Sequence, residues 1–365
     1  MSSVVLNPQL AAMPVYVPGR PIEEVAREHG LDPAGVIKLA SNENPLGPSP
    51  KALAAMADVL KNLHLYPDGN SFYLRRRLAE KLGVAPANLV LGSGSNEILE
   101  FLGHALLGPG DEVVASQHCF IVYPIVASLF GAKFIPVPAN GFHADIPAML
   151  RAITPRTRLV FLANPNNPTG TLTARADLAR LLGEVPPHVV IALDEAYVEF
   201  LDDPSDNLAL VRDGKQPNLI LLRTFSKIFG LAGLRLGYGV GAPDFIAALE
   251  KVRQPFNVNA IAQAGALAAL DDAEHLANTR ANNRTGMDFL QAAFAELGLE
   301  FVPSHANFVL VKVGDGAQVF TELQRRGVIT RPMANYQLPE WIRISVGSPA
   351  ENTRCLAALR EALGR

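Results

Sequence analysis

Val189-Val190-Ile191-Ala192-Leu193-Asp194-Glu195-Ala196-Tyr197 runs five apolar residues straight into a carboxylate. An unbroken apolar run, with no polar residue at every second place, predicts a strand covered on both faces, as in parallel sheets. Similar short runs flank it at Leu89–Leu91, Glu112–Ala115, Lys133–Val137, Leu159–Leu162, Leu219–Leu222 and Leu236–Val240. Helical patterns at Asn96–Leu107, Ile121–Phe130 and Arg175–Leu182 fall between most of them. Strands that alternate with helices predict an α/β fold: a mostly parallel seven-stranded sheet flanked by helices.

Outward from this core, the pattern changes. After Asn259 a long helical stretch runs to about Leu297 and is expected to bend. Beyond it, Ala306–Val313, Val328–Arg331 and Ile342–Val346 read as strands, with helices at Ala317–Arg326 and Ala350–Leu363, a smaller α+β domain. Residues 1–40, punctuated by Pro14, Pro18 and Pro21, read as an N-terminal arm with one short helix near Ile22–His29. The expected division is therefore arm 1–40, large domain 41–258, and linking helix plus small domain 259–365.

Bulk properties narrow the function. The 365 residues suffice for two domains that share a core. With 49% hydrophobic and 18% charged residues, the chain is neither disordered nor unusually polar. The net charge of -3, with no basic run longer than Arg75-Arg76-Arg77, argues against nucleic acid as a partner. The longest apolar runs, Ile98–Leu107 and Ile121–Phe130, are interrupted by Glu100 and His104 or too short for a bilayer, so no membrane association is expected. With no secretory signal pattern, the expected location is the cytoplasm. Cys119 and Cys355 stand in no metal-type spacing. They are expected to be buried small hydrophobes, with no disulfide and no metal.

Ligands of open α/β sheets bind beyond the carboxyl ends of the strands, so the residues there decide the chemistry. Lys227, in Thr224-Phe225-Ser226-Lys227, follows Leu219–Leu222; a lysine can form an imine, and Phe225, Ile228 and Phe229 can desolvate it. Alone, a loop lysine is usually only solvated. Asp194 ends its strand and can pair with a protonated pyridine nitrogen, although a helix-capping aspartate is at least as common there. Tyr197 lies three residues on, placed to donate to a phenolic oxygen. In Asn164-Pro165-Asn166-Asn167-Pro168-Thr169-Gly170, two prolines and a glycine make a rigid turn that presents the Asn167 amide to the same oxygen.

Gly92-Ser93-Gly94-Ser95-Asn96-Glu97 opens a helix, whose first N–H groups bind phosphate; it fits neither a dinucleotide fingerprint nor a P-loop. Arg235 can clamp the same phosphate at the start of the seventh strand. Phe120, after the second strand, can lie flat on a pyridine ring, though a core phenylalanine is the commoner case. Each signal is modest alone. The combination specifies one cofactor chemistry.

On these residues the sequence resembles the fold-type-I, aspartate-aminotransferase-like superfamily of pyridoxal 5'-phosphate enzymes. The motifs are Asn164–Gly170, Asp194–Tyr197, Thr224–Lys227 and Gly233-Leu234-Arg235-Leu236-Gly237-Tyr238, and the likeness runs from about Tyr16 to Arg360. Within the superfamily it most resembles histidinol-phosphate aminotransferases. That likeness rests on Asn42-Glu43-Asn44-Pro45-Leu46-Gly47-Pro48, Leu65-Tyr66-Pro67-Asp68-Gly69, Ser304-His305-Ala306-Asn307-Phe308, Thr330-Arg331-Pro332-Met333 and Ile342-Arg343-Ile344-Ser345-Val346-Gly347.

The resemblance implies roles. Lys227 forms the Schiff base and shuttles the proton. Asp194 holds the pyridinium, and Asn167 and Tyr197 the phenolic oxygen. Ser95, Asn96, Thr224, Ser226 and Arg235 hold the phosphate, which Tyr66 reaches from the partner subunit of a homodimer. Arg343 binds the α-carboxylate of glutamate, and Arg331 with Tyr16 the phosphate of histidinol phosphate. Asn42 and Asn307 join the substrate-binding set. The implied reaction is L-histidinol phosphate plus 2-oxoglutarate to imidazole acetol phosphate plus L-glutamate, in L-histidine biosynthesis.

There are two departures from the family pattern: His118-Cys119 replaces proline-threonine before Phe120, and Asn96 stands where acidic residues are frequent. An aromatic amino-acid aminotransferase is the main alternative, and a decarboxylase of a phosphorylated amino acid a lesser one. A regulator would need a DNA-binding domain for which there is no room. A silent binding protein would not be expected to keep Lys227, Asp194 and Arg343.

Overall fold

The computed structural model describes residues 7–13, 15 and 18–365. The strands of the main sheet are β2 (Leu89–Gly92), β3 (Glu112–Ser116), β4 (Lys133–Val137), β5 (Thr157–Ala163), β6 (Val190–Asp194), β7 (Leu219–Thr224) and β8 (Gly237–Gly241), after a short β1 (Ile37–Lys38). Their order is β2-β8-β7-β6-β5-β3-β4. β8 runs antiparallel to both of its neighbours, β2 and β7, and the other pairings are parallel. All seven expected strands are present, each within two residues of its expected bounds.

The unbroken apolar runs are explained by burial on both faces. Val113, Leu159, Phe161, Ala192 and Ile220 pack into one cluster. Their immediate neighbours Val114, Val160, Leu162, Ile191 and Leu221 pack into another on the opposite face. Side chains alternate across a strand, so a sheet covered twice requires an apolar residue at every position. Each fully buried aliphatic side chain contributes roughly 1.5–3 kcal/mol.

The parallel strands β3, β5, β6 and β7 end at one edge. The chain runs outward from β3 to β4 and then returns to the other side of β3 with β5, the reversal at which such sheets open a crevice.

A second, antiparallel sheet has the order β12-β13-β10-β9, from β9 (Phe301–Val302), β10 (Phe308–Lys312), β12 (Arg331–Pro332) and β13 (Trp341–Ser345). The expected single strand Val328–Arg331 is split in two. Its first half, β11 (Val328–Ile329), pairs in parallel with β1, whereas β12 pairs with β13. Pro332 has no N–H to give a second neighbour, which suits β12 to the sheet edge. The helix Ile22–His29 forms as expected and buries Val25 and Ala26 against Val36, Ala40 and Ile329.

The expected bend after Asn259 is a break. Helices Ala260–Ala269 and Ala273–Glu296 are separated at Leu270–Asp272, and the Asp272 side chain caps the second helix by accepting from the His275 N–H. Among the described residues no helix is long and apolar enough to cross a membrane. Both cysteines are free and buried, and burial pushes each thiol up to about 12.

Candidate active site

The ends of β3, β5, β6 and β7 enclose a cavity of about 340 Å³. Lys227 stands three residues past β7 and lines it. Its Nζ donates to the carbonyls of Ser41 (3.2 Å) and Asn42 (3.3 Å). Burial first, and then the neighbouring Arg343 guanidinium, pull the ammonium from 10.5 down to about 8. A lysine so perturbed carries a useful fraction of neutral amine near neutral pH.

Asp194, the last residue of β6, is buried and also lines the cavity. Its Oδ2 accepts from the Tyr123 hydroxyl (2.8 Å) and its Oδ1 from the Ala196 N–H (3.1 Å). Burial raises its pKa, against the lowering effect of these two hydrogen bonds. The carboxylate thus sits among neutral donors and makes no ion pair with another described residue, an arrangement that favours a cationic ligand.

The helix Ser95–Leu106, whose Ser95 and Asn96 also line the cavity, begins at Gly94, which gives no side-chain cap hydrogen bond. Arg235 approaches this turn closely, and Gly94 permits it: φ there is +76°, and a Cβ would lie 2.6 Å from Arg235 Nη2. Arg235 donates to Ser226 Oγ (3.4 Å) and to the Ala232 carbonyl (3.0 Å). It precedes β8 with a left-handed φ of 54°, whereas the sequence placed it at the strand start. Thr224 Oγ1 accepts from the Ser226 N–H (3.0 Å) and fixes that turn. Helix N–H groups, a hydroxyl and a guanidinium on one wall make an anion cradle.

Tyr197 and Asn167 line the same cavity. The Tyr197 hydroxyl accepts from Asn42 Nδ2 (2.9 Å), and burial pushes its pKa up to about 12. Asn167 Oδ1 accepts from Arg343 Nη1 (2.5 Å), while Arg343 Nη2 donates to the Ala40 carbonyl (3.0 Å). The Arg343 guanidinium lies 5.1 Å from the centre of the Phe308 ring, a cation–π distance. Arg343 and Arg331 are direct partners across the β12–β13 pair, so their side chains leave the sheet on the same face. Asn307 Nδ2 donates to the Asn42 carbonyl (3.0 Å).

Ten expected cofactor residues line this one cavity: Ser95, Asn96, Phe120, Asn167, Asp194, Tyr197, Thr224, Ser226, Lys227 and Arg235. Tyr66 does not reach it within this chain; it is 82% exposed and stacks on Phe256 with 4.7 Å between ring centres. Tyr16 lies outside the described residues. Asn42, Asn307, Arg331 and Arg343 do not line the cavity; Asn42 and Arg343 touch residues that do. His118 points elsewhere, with Nδ1 3.1 Å from the Tyr336 carbonyl, so the departure from the family pattern leaves the cavity wall at Phe120 intact.

Several contributors escaped the sequence reading. Ser41, Glu43 and Ala196 line the cavity, and Tyr123 holds Asp194 from one helical turn past Phe120. A buried tyrosine hydroxyl needs a partner, and that was the available signal for Tyr123, though nothing in the sequence named the partner.

A family model described as aminotransferase class I and II matches residues 34–359. A histidinol-phosphate aminotransferase of Akkermansia muciniphila is 51% identical over 358 residues, which cover 98% of each chain. Histidinol-phosphate aminotransferase 2 of Pseudomonas fluorescens is 52% identical over 362 residues, covering 98% of this chain and 97% of its own. Among solved structures, a histidinol-phosphate aminotransferase from Sinorhizobium meliloti in complex with pyridoxal-5'-phosphate superposes with a TM-score of 0.89 at 29% identity, over 99% of both chains.

Proposed function

The chain belongs to the class I and II aminotransferases, and on that premise we propose that it transfers the amino group of L-histidinol phosphate to 2-oxoglutarate, giving imidazole acetol phosphate and L-glutamate in L-histidine biosynthesis. The observation that carries the choice of donor is the Arg331–Arg343 pair. One guanidinium matches the α-carboxylate of glutamate, and a phosphorylated donor requires a second cation. The close, nearly full-length relatives named above support the same reading.

The cofactor is pyridoxal 5'-phosphate, and the cavity fits it on two counts. A buried carboxylate with only neutral donors, Asp194, suits a ring nitrogen that carries a proton. The cradle at Gly94 and Arg235 suits a phosphate. When bound, the cofactor supplies an aldehyde and a ring that accepts electrons from the amine-bearing carbon.

The chain supplies the rest. Ser95 and Asn96 N–H groups, Ser226, Thr224 and Arg235 hold the phosphate. Phe120, on the cavity wall, would cover one face of the cofactor ring. Asp194 stabilises the ring's positive charge, with Tyr123 holding the carboxylate in place. Asn167 and Tyr197 hold the phenolic oxygen. Lys227 Nζ, as a neutral amine, would take up and return the proton at the donor's amine-bearing carbon. Arg343 and Arg331 orient the anionic ends of the substrates, so that the carbon faces Lys227.

Two copies would complete each site. Leu60, Leu63, Leu65, Tyr66, Phe72, Tyr73 and Phe256 are large apolar residues left exposed in a single chain, a surface that calls for a partner. In a homodimer of this kind Tyr66 would reach the neighbouring phosphate. Work in the cytoplasm would suit two free, buried cysteines.

Steady-state kinetics test the donor. Histidinol phosphate is expected to exceed phenylalanine and tyrosine in kcat/KM. Arg331→Ala should weaken histidinol phosphate by roughly 1.5–3 kcal/mol, the worth of a hydrogen bond to a charged group, and phenylalanine far less. Equal losses on both substrates would favour the aromatic aminotransferase instead.

A further inference from the structure

We propose that Asn42 is a positioning residue that aims the Tyr197 hydroxyl proton at the cofactor's phenolic oxygen, and that it is itself held by the small sheet. The inference rests on the reading above, in which Tyr197 faces that oxygen of pyridoxal phosphate.

A tyrosine hydroxyl has one proton to give and can accept on its lone pairs. Asn42 Nδ2 donates to Tyr197 Oη at 2.9 Å. The phenol proton therefore turns away from Asn42, and Tyr197 lines the cavity. An N–H given to the oxygen also polarises the O–H bond and makes it a stronger donor.

The carboxamide has little freedom to turn over. Ser345 Oγ accepts from the Asn42 backbone N–H (2.8 Å), which leaves its own proton for Asn42 Oδ1 (3.2 Å). With Oδ1 taken as acceptor, Nδ2 is the atom that meets Tyr197. The backbone is committed as well. Asn42 has φ +55°, a left-handed conformation that asparagine tolerates better than most residues. Its carbonyl receives both Lys227 Nζ and Asn307 Nδ2. Asn42 is 1% exposed, with its side chain committed to Tyr197 and Ser345.

Two substitutions separate the side chain from the backbone. Asn42→Asp keeps the shape and tolerates the left-handed φ, but turns the donor into an acceptor that takes the phenol proton away from the cavity. Asn42→Gly accepts the same φ and deletes the hydrogen bond. Each is read by equilibrium dialysis with pyridoxal phosphate, by the pH dependence of the bound cofactor's absorbance, and by KM and kcat. Asn42→Asp is expected to shift the absorbance midpoint and weaken cofactor retention about tenfold. kcat should fall while KM for L-glutamate and histidinol phosphate stays within about twofold. Asn42→Gly should shift the midpoint in the same direction by less, and it serves alone if the aspartate variant does not fold.

In a Tyr197→Phe background both substitutions should leave midpoint and retention unchanged. A KM change with an unmoved midpoint, or an effect undiminished in Tyr197→Phe, would overturn the proposal. Wild-type protein that binds no pyridoxal phosphate would overturn the reading of the site itself. Wild-type protein that binds the cofactor but does not turn over histidinol phosphate would remove only the donor, and the Asn42 effect would then be read with L-glutamate.

Discussion

Tyr123 donates its hydroxyl proton to the carboxylate of Asp194 across 2.8 Å, with both groups buried. Removing that proton donor leaves Asp194 with the Ala196 N–H alone, and burial then raises its pKa further. Tyr123→Phe is therefore expected to weaken pyridoxal phosphate by about 1.5–3 kcal/mol, the worth of a hydrogen bond to a charged group. Equilibrium dialysis against the cofactor checks this, and unchanged retention would remove Tyr123 from the site.

The lysine gives a pH prediction. Burial holds Lys227 at about 8 in the folded chain, below its ordinary 10.5. At pH 7 roughly one amine in ten is then neutral, far more than for a solvated lysine. In cofactor-free protein, acylation of Lys227 followed by peptide mapping should rise with a midpoint near 8. Because the folded value is depressed, the buried charge penalises the fold below about 8, and the penalty is relieved as pH climbs toward 10.5. The Tm advantage of cofactor-free Lys227→Met over wild type should shrink across that window, and a constant gap would contradict the sign.

Gly94 offers a backbone test. Gly94→Ala puts a methyl into the Arg235 guanidinium at a φ of +76°. Backbone strain alone costs on the order of 1–3 kcal/mol, and displacement of Arg235 should weaken the phosphate hold as well. Gly183, inside the helix Arg175–Glu184 with nothing within 4 Å of a built Cβ, is the control. Gly183→Ala should be neutral or stabilising. Thermal melts with and without cofactor separate the two effects.

Beneath the site, Arg223 Nη2 meets Glu195 Oε2 at 2.7 Å, with side chains 12% and 1% exposed. Glu195 also accepts from Asn207 Nδ2 (2.8 Å). Arg223→Met leaves the Glu195 charge without its cation and is expected to cost about 3–5 kcal/mol. The double change Arg223→Met with Glu195→Gln should cost less than the single. Urea unfolding of the cofactor-free proteins measures both, and a larger loss in the double variant would show that Glu195 stabilises the fold even without its cation.

Much of the site was readable because its parts stand at strand ends. Asp194 and Lys227 each follow an apolar run whose doubled burial shows in composition alone. What escaped lies in contacts with no sequence period. β1 and β9 are two residues each, too short for any pattern. The division at Thr330 between β11 and β12 follows from two different neighbours, not from a local signal. Tyr123 looked like one more apolar residue of its helix until Asp194 was seen opposite its hydroxyl. Arg235 was assigned its phosphate role but not its left-handed backbone, which the approach to Gly94 requires.

The hydrogen bond from the Asn42 N–H to Ser345 Oγ spans 303 residues of chain, and the β1–β11 pairing joins comparably distant segments. Closing loops of that length is slow and comes late in folding. A chain made from its N-terminus can lay down the main sheet and its lysine well before Ser345 has been synthesised. Ordering of the Asn42 turn must then wait until the strand that ends at Ser345 has been made, so the two partners of that hydrogen bond are laid down far apart in time.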